Sequence, residues 1–461
     1  MTAPVPVLVV GAGISGLVCA YAVRKAGIDA LLMEASPRPG GVIRSESREG
    51  FLIELGPQSF SGTSQLRELC SELGIEKEVV QAPPRAPRFI LVDGRLRRLP
   101  LSPAAFFSSS LFGVRTKWSI VRDALGRSNP PQSEESVASF VRRKFSAELL
   151  EKLVGPFVSG IYAGDPEKLS LRSAFPQLFE AERTASSIVR GLMRGSKNEH
   201  SPRERPTLLS IRKGNETLVG ALASKLGPAL RINASVTGVQ RRATGDEETF
   251  EVYVNAGGKE ERITCSHLVM ATPTLATASL LATVSPAFES VVATIDYAPV
   301  AVVSLGYREP DVGRSLDGFG FLVPRSAGLR VLGTVWNSSL FPGRAPEGFA
   351  LLTSFVGGST DPQAGTLKPD EIVSLVHREI SPLLRIKQLP AFSNVTVYQR
   401  ALPQYNLGHS ERIEALKSLS AKFPGLWLAG NYLRGPSIGA CVEQALSIAA
   451  KIRSRISENK Q

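Results

Sequence analysis

The sequence predicts an α/β fold built on a parallel sheet, and two regions carry this prediction. At the N-terminus an apolar run at 7–10 is followed by a glycine-rich turn, a helical stretch to Lys25 and a second apolar run, Ala30–Met33. This strand–turn–helix–strand order is typical of a parallel βαβ unit. Near the C-terminus another short strand, Leu426–Leu428, runs through a glycine-bearing turn into a helix predicted over 440–456.

The middle of the chain predicts further helices and strands. Helical residues follow Ser136, a residue type that caps helix N-termini, and a second helix is expected over 215–225. Short apolar runs then alternate with turns, with a strand expected over 230–239, a hairpin at 256–258 and more strands from 298 to 357. The polar stretch 195–206 predicts an exposed loop.

The composition excludes several classes of protein. The chain has 461 residues, 43% of them apolar and 21% charged, so it can build sizeable hydrophobic cores. Disordered, collagen-like and small disulfide-bonded proteins are excluded. The formal net charge of +12 favours an acidic partner, which can be nucleic acid, an anionic membrane surface or an acidic small molecule. No nucleic-acid-binding motif accompanies the charge, which leaves the other two.

The cysteines and apolar segments predict neither a metal site nor a membrane span. Cys19, Cys70, Cys265 and Cys441 lie far apart without a CxxC pair, which predicts buried free thiols in a reducing compartment. No uninterrupted run of about 18 apolar residues occurs. The apolar N-terminus lacks a preceding basic region and contains a glycine motif, so we do not expect a signal peptide.

The glycine-rich turn after the first strand matches the dinucleotide-binding fingerprint GxGxxG. Gly11 makes the turn, Gly13 lets the backbone approach a pyrophosphate, and Gly16 permits close helix–strand packing. Glu34 ends the next strand about 20 residues on, where an acidic side chain accepts hydrogen bonds from ribose hydroxyls. The preceding strand, the following helix and this acid together make the motif specific.

Two further glycine-containing segments favour a flavin over a nicotinamide cofactor. Gly40 and Gly41, followed by Arg44, place bare backbone and a cation near a diphosphate. Near the other end of the chain, Gly430 and Gly435 precede the final helix, whose N–H groups would face an electron-rich acceptor such as an isoalloxazine ring. Convergence of both chain ends on one extended cofactor is the layout of large FAD oxidoreductases.

The segment 85–127 is both basic and aromatic. Its Arg and Lys residues alternate with rings such as Phe106, Phe107, Phe112 and Trp118, and two acidic residues oppose them. Such a segment can lie at a membrane interface, with cations on lipid phosphates and rings at the acyl boundary. An ordinary helical domain with a solvated basic face has the same composition, and the residues alone do not decide between the two.

Several longer strings of residues point to one family. They are ELGPQSF at 54–60, RFILVDG at 88–94, SGIYAGD at 159–165, LSLRSAFP at 169–176, GFGFLVP at 318–324 and PQYNLGH at 403–409. In these strings, and in the glycine motifs, the chain resembles the amine oxidase and phytoene desaturase superfamily of FAD enzymes and, within it, the protoporphyrinogen oxidase family. The strings occur in the family's order and span nearly the whole chain.

This resemblance implies a domain organisation and a reaction. A Rossmann-type FAD-binding domain with a p-hydroxybenzoate-hydroxylase-like fold would comprise 1–84, 207–290 and 405–461, a β-rich substrate domain 85–95, 165–206 and 291–404, and a helical membrane-associating domain 96–164. The implied reaction is the oxidation of a porphyrinogen to a porphyrin with loss of six electrons and six hydrogens. It would need three flavin cycles, with dioxygen as acceptor and hydrogen peroxide as product.

The resemblance also implies the site residues. Those at the cofactor would be Gly11, Gly13, Ser15 and Gly16 at the diphosphate, Glu34 at the adenosine ribose, Val236 at the adenine, Val42, Gly56, Pro57 and Gln58 along the flavin, and Asn431, Pro436, Ser437 and Ile438 beside its rings. The resemblance also makes Ala12, Ile14, Ala35, Arg38, Gly41, Arg44 and Ser59 cofactor-binding residues. Those at the substrate would be Arg88 for a propionate, Leu322, Val335 and Phe355 as apolar walls, and Gly160 and Ala163 on the opposite side.

No residue presents itself as a general base. His200, His267, His377 and His409 are not predicted to pair with a carboxylate in a glycine-lined site. This fits hydride loss from an electron-rich methylene bridge, in which the protein mainly positions the substrate. We therefore expect no catalytic side chain in the narrow sense.

Several alternatives remain open from the sequence. Coproporphyrinogen III would undergo the same chemistry, and its extra carboxylates would need extra cations near the pocket. An amine oxidase or carotenoid desaturase would lack the strings at 88–94 and 159–165, and a non-catalytic flavin-binding or scaffold protein would bind flavin without turnover. The near-immediate first strand predicts a cytoplasmic protein peripheral to the inner face of the cell membrane; a homodimer is left open.

Overall fold

The structure, a computed structural model, describes residues 4–126, 130–191, 207–244 and 247–458. The chain forms two seven-stranded sheets with helices around them, which confirms the predicted α/β fold. The loop predicted at 195–206, with His200, lies outside the described residues.

The first sheet positions the glycine-rich turn. Its central strand Val5–Val10 lies parallel to both Ala30–Met33 and Lys259–Met270, and its residues 7–9 are fully buried, as expected for a strand covered on both faces. The predicted strand over 230–239 is two strands, because Asn233 adopts a φ of 51° between them. The strand order is Leu230–Arg231, Ala30–Met33, Val5–Val10, Lys259–Met270, Glu247–Ala256 and Ala234–Thr244, with Leu426–Leu428 paired to Lys259–Met270.

Helices from both chain ends cover this sheet together. The helices Ile14–Lys25 and Ile438–Glu458 pack in one hydrophobic cluster with Glu216–Leu226 and Ser64–Glu72. The N- and C-terminal elements therefore meet, as the glycine segments predict. The other helices beside the two large sheets are Thr274–Leu281, Pro286–Val292, Asn337–Leu340, Pro369–Leu384, His409–Ser420 and Asn431–Arg434.

One face of the second sheet packs against a helix, and the other face contacts separate parts of the chain. The helix Pro369–Leu384 packs its residues Ile372 and Val376 on one face, against Val303 and Phe321. The opposite face carries clusters that include residues 51–55 and Ala163. The strand order is Phe392–Pro403, Tyr297–Arg308, Phe349–Gly357, Val331–Trp336, Gly320–Leu322, Arg88–Val92 and Arg95–Arg98. Two small sheets pair Ser45–Arg48 with Phe51–Glu54, and Leu208–Ile211 with Phe60–Ser61 and Val79–Gln81.

A separate hydrophobic cluster organises the helical part of the chain. Its helices are Pro103–Ser108, Val114–Leu125, Val137–Lys144, Ala147–Leu149, Gly155–Tyr162, Leu171–Ala174 and Pro176–Ala185, with π-helical turns over Leu150–Val154. Ser136 caps Val137–Lys144, as predicted, by accepting a hydrogen bond of 3.1 Å from the Ser139 N–H. Within the described ranges, no helix has both the length and the apolar composition that a membrane crossing requires.

Two segments, 95–98 and 171–185, lie in other parts of the fold than the expected domain boundaries place them. The strand Arg95–Arg98 pairs with Arg88–Val92, so the expected boundary after residue 95 falls inside a hairpin of the second sheet. Residues 171–185 belong to the helical cluster, because Ala174 and Ala181 bury their side chains there.

Candidate active site

A cavity of about 470 Å³ lies at the C-terminal end of the first sheet, where both chain ends meet. It is lined by backbone and small side chains of the glycine turn, by Glu34, and by the turn before the closing helix. The residues predicted at the cofactor that line it are Gly11, Gly13, Ile14, Ser15, Glu34, Ala35, Gly41, Val42, Pro57, Val236, Asn431, Pro436 and Ile438. The structure thus brings together residues from opposite ends of the chain.

The three glycines of the motif occupy distinct environments. A Cβ at Gly16 would lie 1.9 Å from the carbonyl oxygen of Gly11, so the helix can approach the turn only with glycine at this position. Gly11 itself has a φ of 98°, a left-handed conformation that glycine adopts without strain. A Cβ at Gly13 would meet no atom within 4 Å, so the space before the helix N-terminus is open to a phosphate.

Glu34 closes the turn from the second strand. Its carboxylate accepts hydrogen bonds of 2.7 Å from the Ala12 N–H and 2.9 Å from the Ser36 N–H. The side chain therefore holds the glycine turn and also borders the cavity, where a carboxylate can accept hydrogen bonds from a ribose.

Other predicted cofactor residues support the lining without bordering the cavity. The Arg38 guanidinium donates to the carbonyl oxygens of Gly41 at 2.6 Å and Ile43 at 3.2 Å, which braces the second glycine loop. A Cβ at Gly56 would lie 2.0 Å from the Val42 carbonyl oxygen, so two loops touch there. The predicted residues outside the lining are Ala12, Gly16, Arg38, Arg44, Gly56, Gln58, Ser59 and Ser437.

Sequence reasoning missed part of the lining. Thr272, Pro273, Tyr297, Arg400 and Ala401 also border the cavity, and they come from strand ends that carry no motif. Arg400 lies 4.6 Å from the ring centroid of Tyr297. Burial raises the pKa of Tyr297, and the neighbouring Thr274 and the charge of Arg400 oppose this increase.

The chemistry of this cavity fits a flavin dinucleotide. An open helix N-terminus can bind the diphosphate, an acid stands at the ribose position, and apolar side chains such as Val42 and Ile438 can cover flat rings. The four cysteines do not take part as thiolates, because all are buried; burial raises the pKa of Cys70 to about 11 and that of Cys19 to about 12.

The second sheet presents the predicted substrate residues on one face. Arg88 and Val335 both pair with Gly320, which lies on the strand between them. Leu322 and Phe355 both pair with Gly333 on the next strand. Because directly paired residues lie on the same face and faces alternate along a strand, these four share a face. It is the face opposite the helix Pro369–Leu384.

The helical part covers this face at close range. A Cβ at Gly160 would lie 2.6 Å from Cδ2 of Leu322, so glycine keeps space above that leucine. Ala163 ends its helix with a φ of 48°, and its carbonyl oxygen accepts a hydrogen bond of 2.7 Å from the Ser359 N–H. Ala401 borders the cofactor cavity and also packs in the cluster that contains Ala163 and Phe355, so the two predicted sites adjoin.

Arg88 stands at the exposed rim of this face. Its guanidinium lies 5.4 Å from the centroid of the Phe319 ring, and its side chain is exposed. A planar guanidinium at the rim of an apolar face can bind a carboxylate through paired, charge-assisted hydrogen bonds.

The described histidines have structural surroundings. Burial lowers the pKa of His267 and of His409 to about 4, so both are neutral at pH 7. His409 stacks on Tyr405 at 4.3 Å, and His377 contacts the Tyr307 hydroxyl at 3.0 Å away from the cavity. Their surroundings give none of these three the carboxylate partner of a general base.

A buried ion pair beside the loop that carries Pro57 was not apparent from the sequence. Arg344 donates to Glu54 Oε1 at 2.6 Å, and both side chains are almost inaccessible. Glu54 also accepts from the Asn215 N–H at 2.9 Å and from the Ser45 hydroxyl at 2.6 Å. Gln58, predicted at the flavin, donates from its amide to the Glu54 and Gly56 carbonyl oxygens at 2.9 Å each. The pair joins the strand Phe51–Glu54, next to the loop that carries Pro57, to the loop before the strand Phe349–Gly357.

The chain is similar to known flavoproteins over nearly its full length. A family model described as flavin containing amine oxidoreductase matches residues 14–453. The chain is 36% identical to chloroplastic protoporphyrinogen oxidase of Oryza sativa subsp. japonica, over 96% of this chain and 87% of that protein. It is 28% identical to coproporphyrinogen III oxidase of Bacillus subtilis (strain 168), over 95% of this chain and 96% of that protein.

Solved structures share the fold. Cyclohexylamine oxidase from Brevibacterium oxydans IH-35A matches with a TM-score of 0.72 at 19% identity, covering 99% of this chain and 100% of that chain. A protein from Exiguobacterium sp. 255-15 matches with a TM-score of 0.81 at 23% identity and the same coverage.

Proposed function

The chain belongs to the flavin containing amine oxidoreductase family, and from this premise we propose that it oxidises protoporphyrinogen IX to protoporphyrin IX in haem biosynthesis. The cofactor is FAD. The observation that carries the substrate assignment is the apolar face with Arg88 at its rim, which adjoins the cofactor cavity through Ala401. A flat, apolar molecule with carboxylate arms matches this face.

The chain's residues bind and orient the substrate in this proposal. Arg88 binds a propionate, and Leu322, Val335 and Phe355 form one apolar wall. Gly160 and Ala163 leave room on the opposite side. FAD, when bound, accepts two electrons at a time as hydride, so removal of six electrons takes three cycles. Dioxygen is the proposed final acceptor, with hydrogen peroxide as product.

Positioning supplies most of the catalysis in this proposal. The electron-rich macrocycle supplies the push for hydride loss. Of the described histidines, His267 and His409 are neutral at pH 7, and neither borders the cavity. Holding a substrate and a bound cofactor in a fixed relative orientation can account for a large part of a rate enhancement.

Coproporphyrinogen III is the second candidate substrate. One observation favours it: Arg97 pairs directly with Ile90 in the edge hairpin, so it lies on the same sheet face as Arg88. A second exposed guanidinium there could bind an additional carboxylate arm.

We also propose that the helical part rests on an anionic membrane surface. The helix Val114–Leu125 exposes three apolar residues: Val114 is 82% exposed, Trp118 62% and Leu125 76%. Its buried positions are polar, since Thr116, Ser119 and Asp123 face the interior, where Thr116 donates to Glu148 at 2.5 Å. An apolar outer face beside Arg and Lys residues suits a lipid surface. Contact from the cytoplasmic side of the cell membrane stays a prediction.

A fluorimetric assay tests the proposed function. The purified FAD-loaded protein is given protoporphyrinogen IX or coproporphyrinogen III, with and without dioxygen, and porphyrin fluorescence is recorded. We expect catalytic turnover with dioxygen and a higher kcat/KM for protoporphyrinogen IX. A higher kcat/KM for coproporphyrinogen III would assign the second candidate, and failure on both substrates would contradict porphyrinogen oxidation.

A further inference from the structure

The turn between Gly430 and Pro436 borders the cofactor cavity at both of its ends. Gly430, Asn431 and Pro436 all line the cavity. The short helix Asn431–Arg434 lies between Gly430 and Gly435. Gly430 and Gly435 have φ values of 149° and 147°, conformations that residues with a side chain rarely adopt. A helix of four residues has almost no internal hydrogen bonds, so its shape depends on contacts from elsewhere.

The side chain of Tyr405 supplies these contacts from another part of the fold. Its hydroxyl donates a hydrogen bond to the Asn431 carbonyl oxygen, at the start of the turn. The backbone N–H of Gly435, at the end of the turn, acts against the strong rise in the pKa of Tyr405 that burial causes. In a longer helix the Asn431 carbonyl oxygen would accept from the Gly435 N–H. Here it accepts from the Tyr405 hydroxyl.

Tyr405 is itself held rigidly. It is 1% exposed, its ring stacks on His409 at 4.3 Å with an interplanar angle of 9°, and the Tyr162 ring lies 5.8 Å away. Its carbonyl oxygen accepts a hydrogen bond of 2.8 Å from the Ser170 N–H. The side chain therefore has one orientation, and its single polar atom reaches the turn.

A second side chain fixes the same turn from the closing helix. Gln444, which is buried, accepts a hydrogen bond of 2.9 Å from the Gly430 N–H. Gln444 thus fixes the first residue of the turn, and Tyr405 spans the four residues that follow.

We propose that Tyr405 is a positioning residue for the flavin: its hydroxyl holds the Asn431–Gly435 turn closed and so sets the spacing of Asn431 and Pro436 on the cavity wall. This inference rests on the proposed placement of FAD in this cavity. A change of the turn alters the packing and the hydrogen-bonding dipoles beside the ring system, and these tune the affinity and the redox potential of a bound flavin. Tyr405 does not touch the porphyrinogen in this proposal.

The substitution Tyr405→Phe removes the hydroxyl and keeps the stacked ring. We expect FAD to bind the apoprotein about tenfold more weakly, as for the loss of one buried hydrogen bond, and the flavin midpoint potential and visible absorption band to shift. The measurements are the FAD dissociation constant by fluorescence titration, and the potential by reductive titration against a reference dye. Both are made without porphyrinogen.

Tyr162→Phe is the matched control. Its hydroxyl also donates to a backbone carbonyl oxygen, that of Ala174 at 2.8 Å, in the same cluster but away from the turn. We expect its FAD affinity and potential to equal those of the wild type, and the unfolding temperatures of both apoproteins to be similar.

Four outcomes would contradict parts of this account in distinguishable ways. Unchanged FAD affinity and potential in Tyr405→Phe would overturn the positioning role. Equal changes in both variants would show a general packing effect and overturn it as well, as would loss of folded protein in Tyr405→Phe alone. Wild-type apoprotein that does not bind FAD would instead refute the cofactor placement on which the inference rests.

Discussion

Arg88 is the residue on which the substrate assignment can be tested most simply. Its exposed guanidinium stands at the rim of the apolar face, and it belongs to the RFILVDG string that the sequence singles out. A charge-assisted hydrogen bond to a carboxylate contributes about 1.5–3 kcal/mol. This value sets the scale of the expected effect.

We expect Arg88→Ala to raise KM for protoporphyrinogen IX by about 10- to 100-fold with kcat changed much less, because the interaction is made equally in the ground state and the transition state. Arg88→Lys should recover part of the loss. Arg98→Ala is the control, since Arg98 pairs with Phe89 and so lies on the other face of the sheet. An unchanged KM in Arg88→Ala would remove Arg88 from the substrate site.

His409 makes the stability of the protein depend on pH. Burial lowers its pKa in the folded state to about 4, whereas an unfolded histidine titrates near 6.5. The unfolded chain therefore binds more protons between these values, and stability is lost as the pH falls through this window. At pH 5 the loss from this one residue is about 2 kcal/mol.

We expect His409→Phe, which preserves the ring stack on Tyr405, to lose about 2 kcal/mol less than the wild type between pH 7 and pH 5 in urea unfolding. Its kcat should stay within about tenfold of the wild type, because no general base is lost. Equal pH dependence of the two proteins would show that His409 does not titrate as described.

At the scale of elements, the helix Val114–Leu125 combines a buried polar face with exposed apolar residues. Thr116, Ser119 and Asp123 are buried, whereas Val114, Trp118 and Leu125 are exposed beside basic side chains. Removing an apolar side chain of this size from a lipid interface costs about 1.5–3 kcal/mol.

We expect Trp118→Glu and Leu125→Glu each to weaken binding to anionic phospholipid vesicles by about tenfold or more, measured by co-sedimentation, with turnover in detergent unchanged. Leu389→Glu is the matched control, because Leu389 is also 76% exposed but lies outside the helical part. Equal vesicle binding by all three variants and the wild type would contradict the membrane proposal.

Elements whose conformation depends on neighbouring residues were predicted correctly. The glycine turn, its flanking strands and the hairpin at 256–258 are of this kind, so the local sequence is enough to predict them. The strand Arg95–Arg98 was not anticipated as part of the sheet, because its stability comes from pairing with Arg88–Val92 and not from its own basic composition. The break at Asn233 depends on a single positive φ, which asparagine permits but does not require.

At the scale of the whole molecule, the buried pair of Glu54 and Arg344 joins the strand Phe51–Glu54 to the loop before the strand Phe349–Gly357. Burial raises the pKa of Glu54, and the charge of Arg344 acts in the opposite direction. Removal of one partner leaves a buried charge without compensation, which costs about 3–5 kcal/mol.

We expect Arg344→Met to lower the free energy of unfolding by about 3–5 kcal/mol, and the double variant Glu54→Gln, Arg344→Met to lose less than the sum of the two single variants. Arg142→Ala, which breaks an exposed pair with Glu167, should cost less than about 1 kcal/mol. A cost for Arg344→Met as small as that for Arg142→Ala would show that the pair does not stabilise the junction.

Contacts of this kind mark the limit of what the sequence can predict. Glu54 and Arg344 are 290 positions apart, and no spacing rule connects them. The same holds for Tyr405 and Asn431, which are also distant in the sequence. Motif residues such as Gly13 and Glu34 line the cavity. Thr272 and Arg400 belong to no motif and reach it because Thr272 follows the strand Lys259–Met270 and Arg400 lies near the end of the strand Phe392–Pro403.

An anaerobic titration shows whether this flavoprotein takes electrons from a porphyrinogen. The FAD-loaded protein is mixed with known amounts of protoporphyrinogen IX without dioxygen, and flavin absorption and porphyrin fluorescence are followed together. We expect loss of the oxidised flavin band with three flavins reduced for each porphyrin formed, and its return when dioxygen is admitted. Flavin that stays oxidised in the presence of both protoporphyrinogen IX and coproporphyrinogen III would contradict the account.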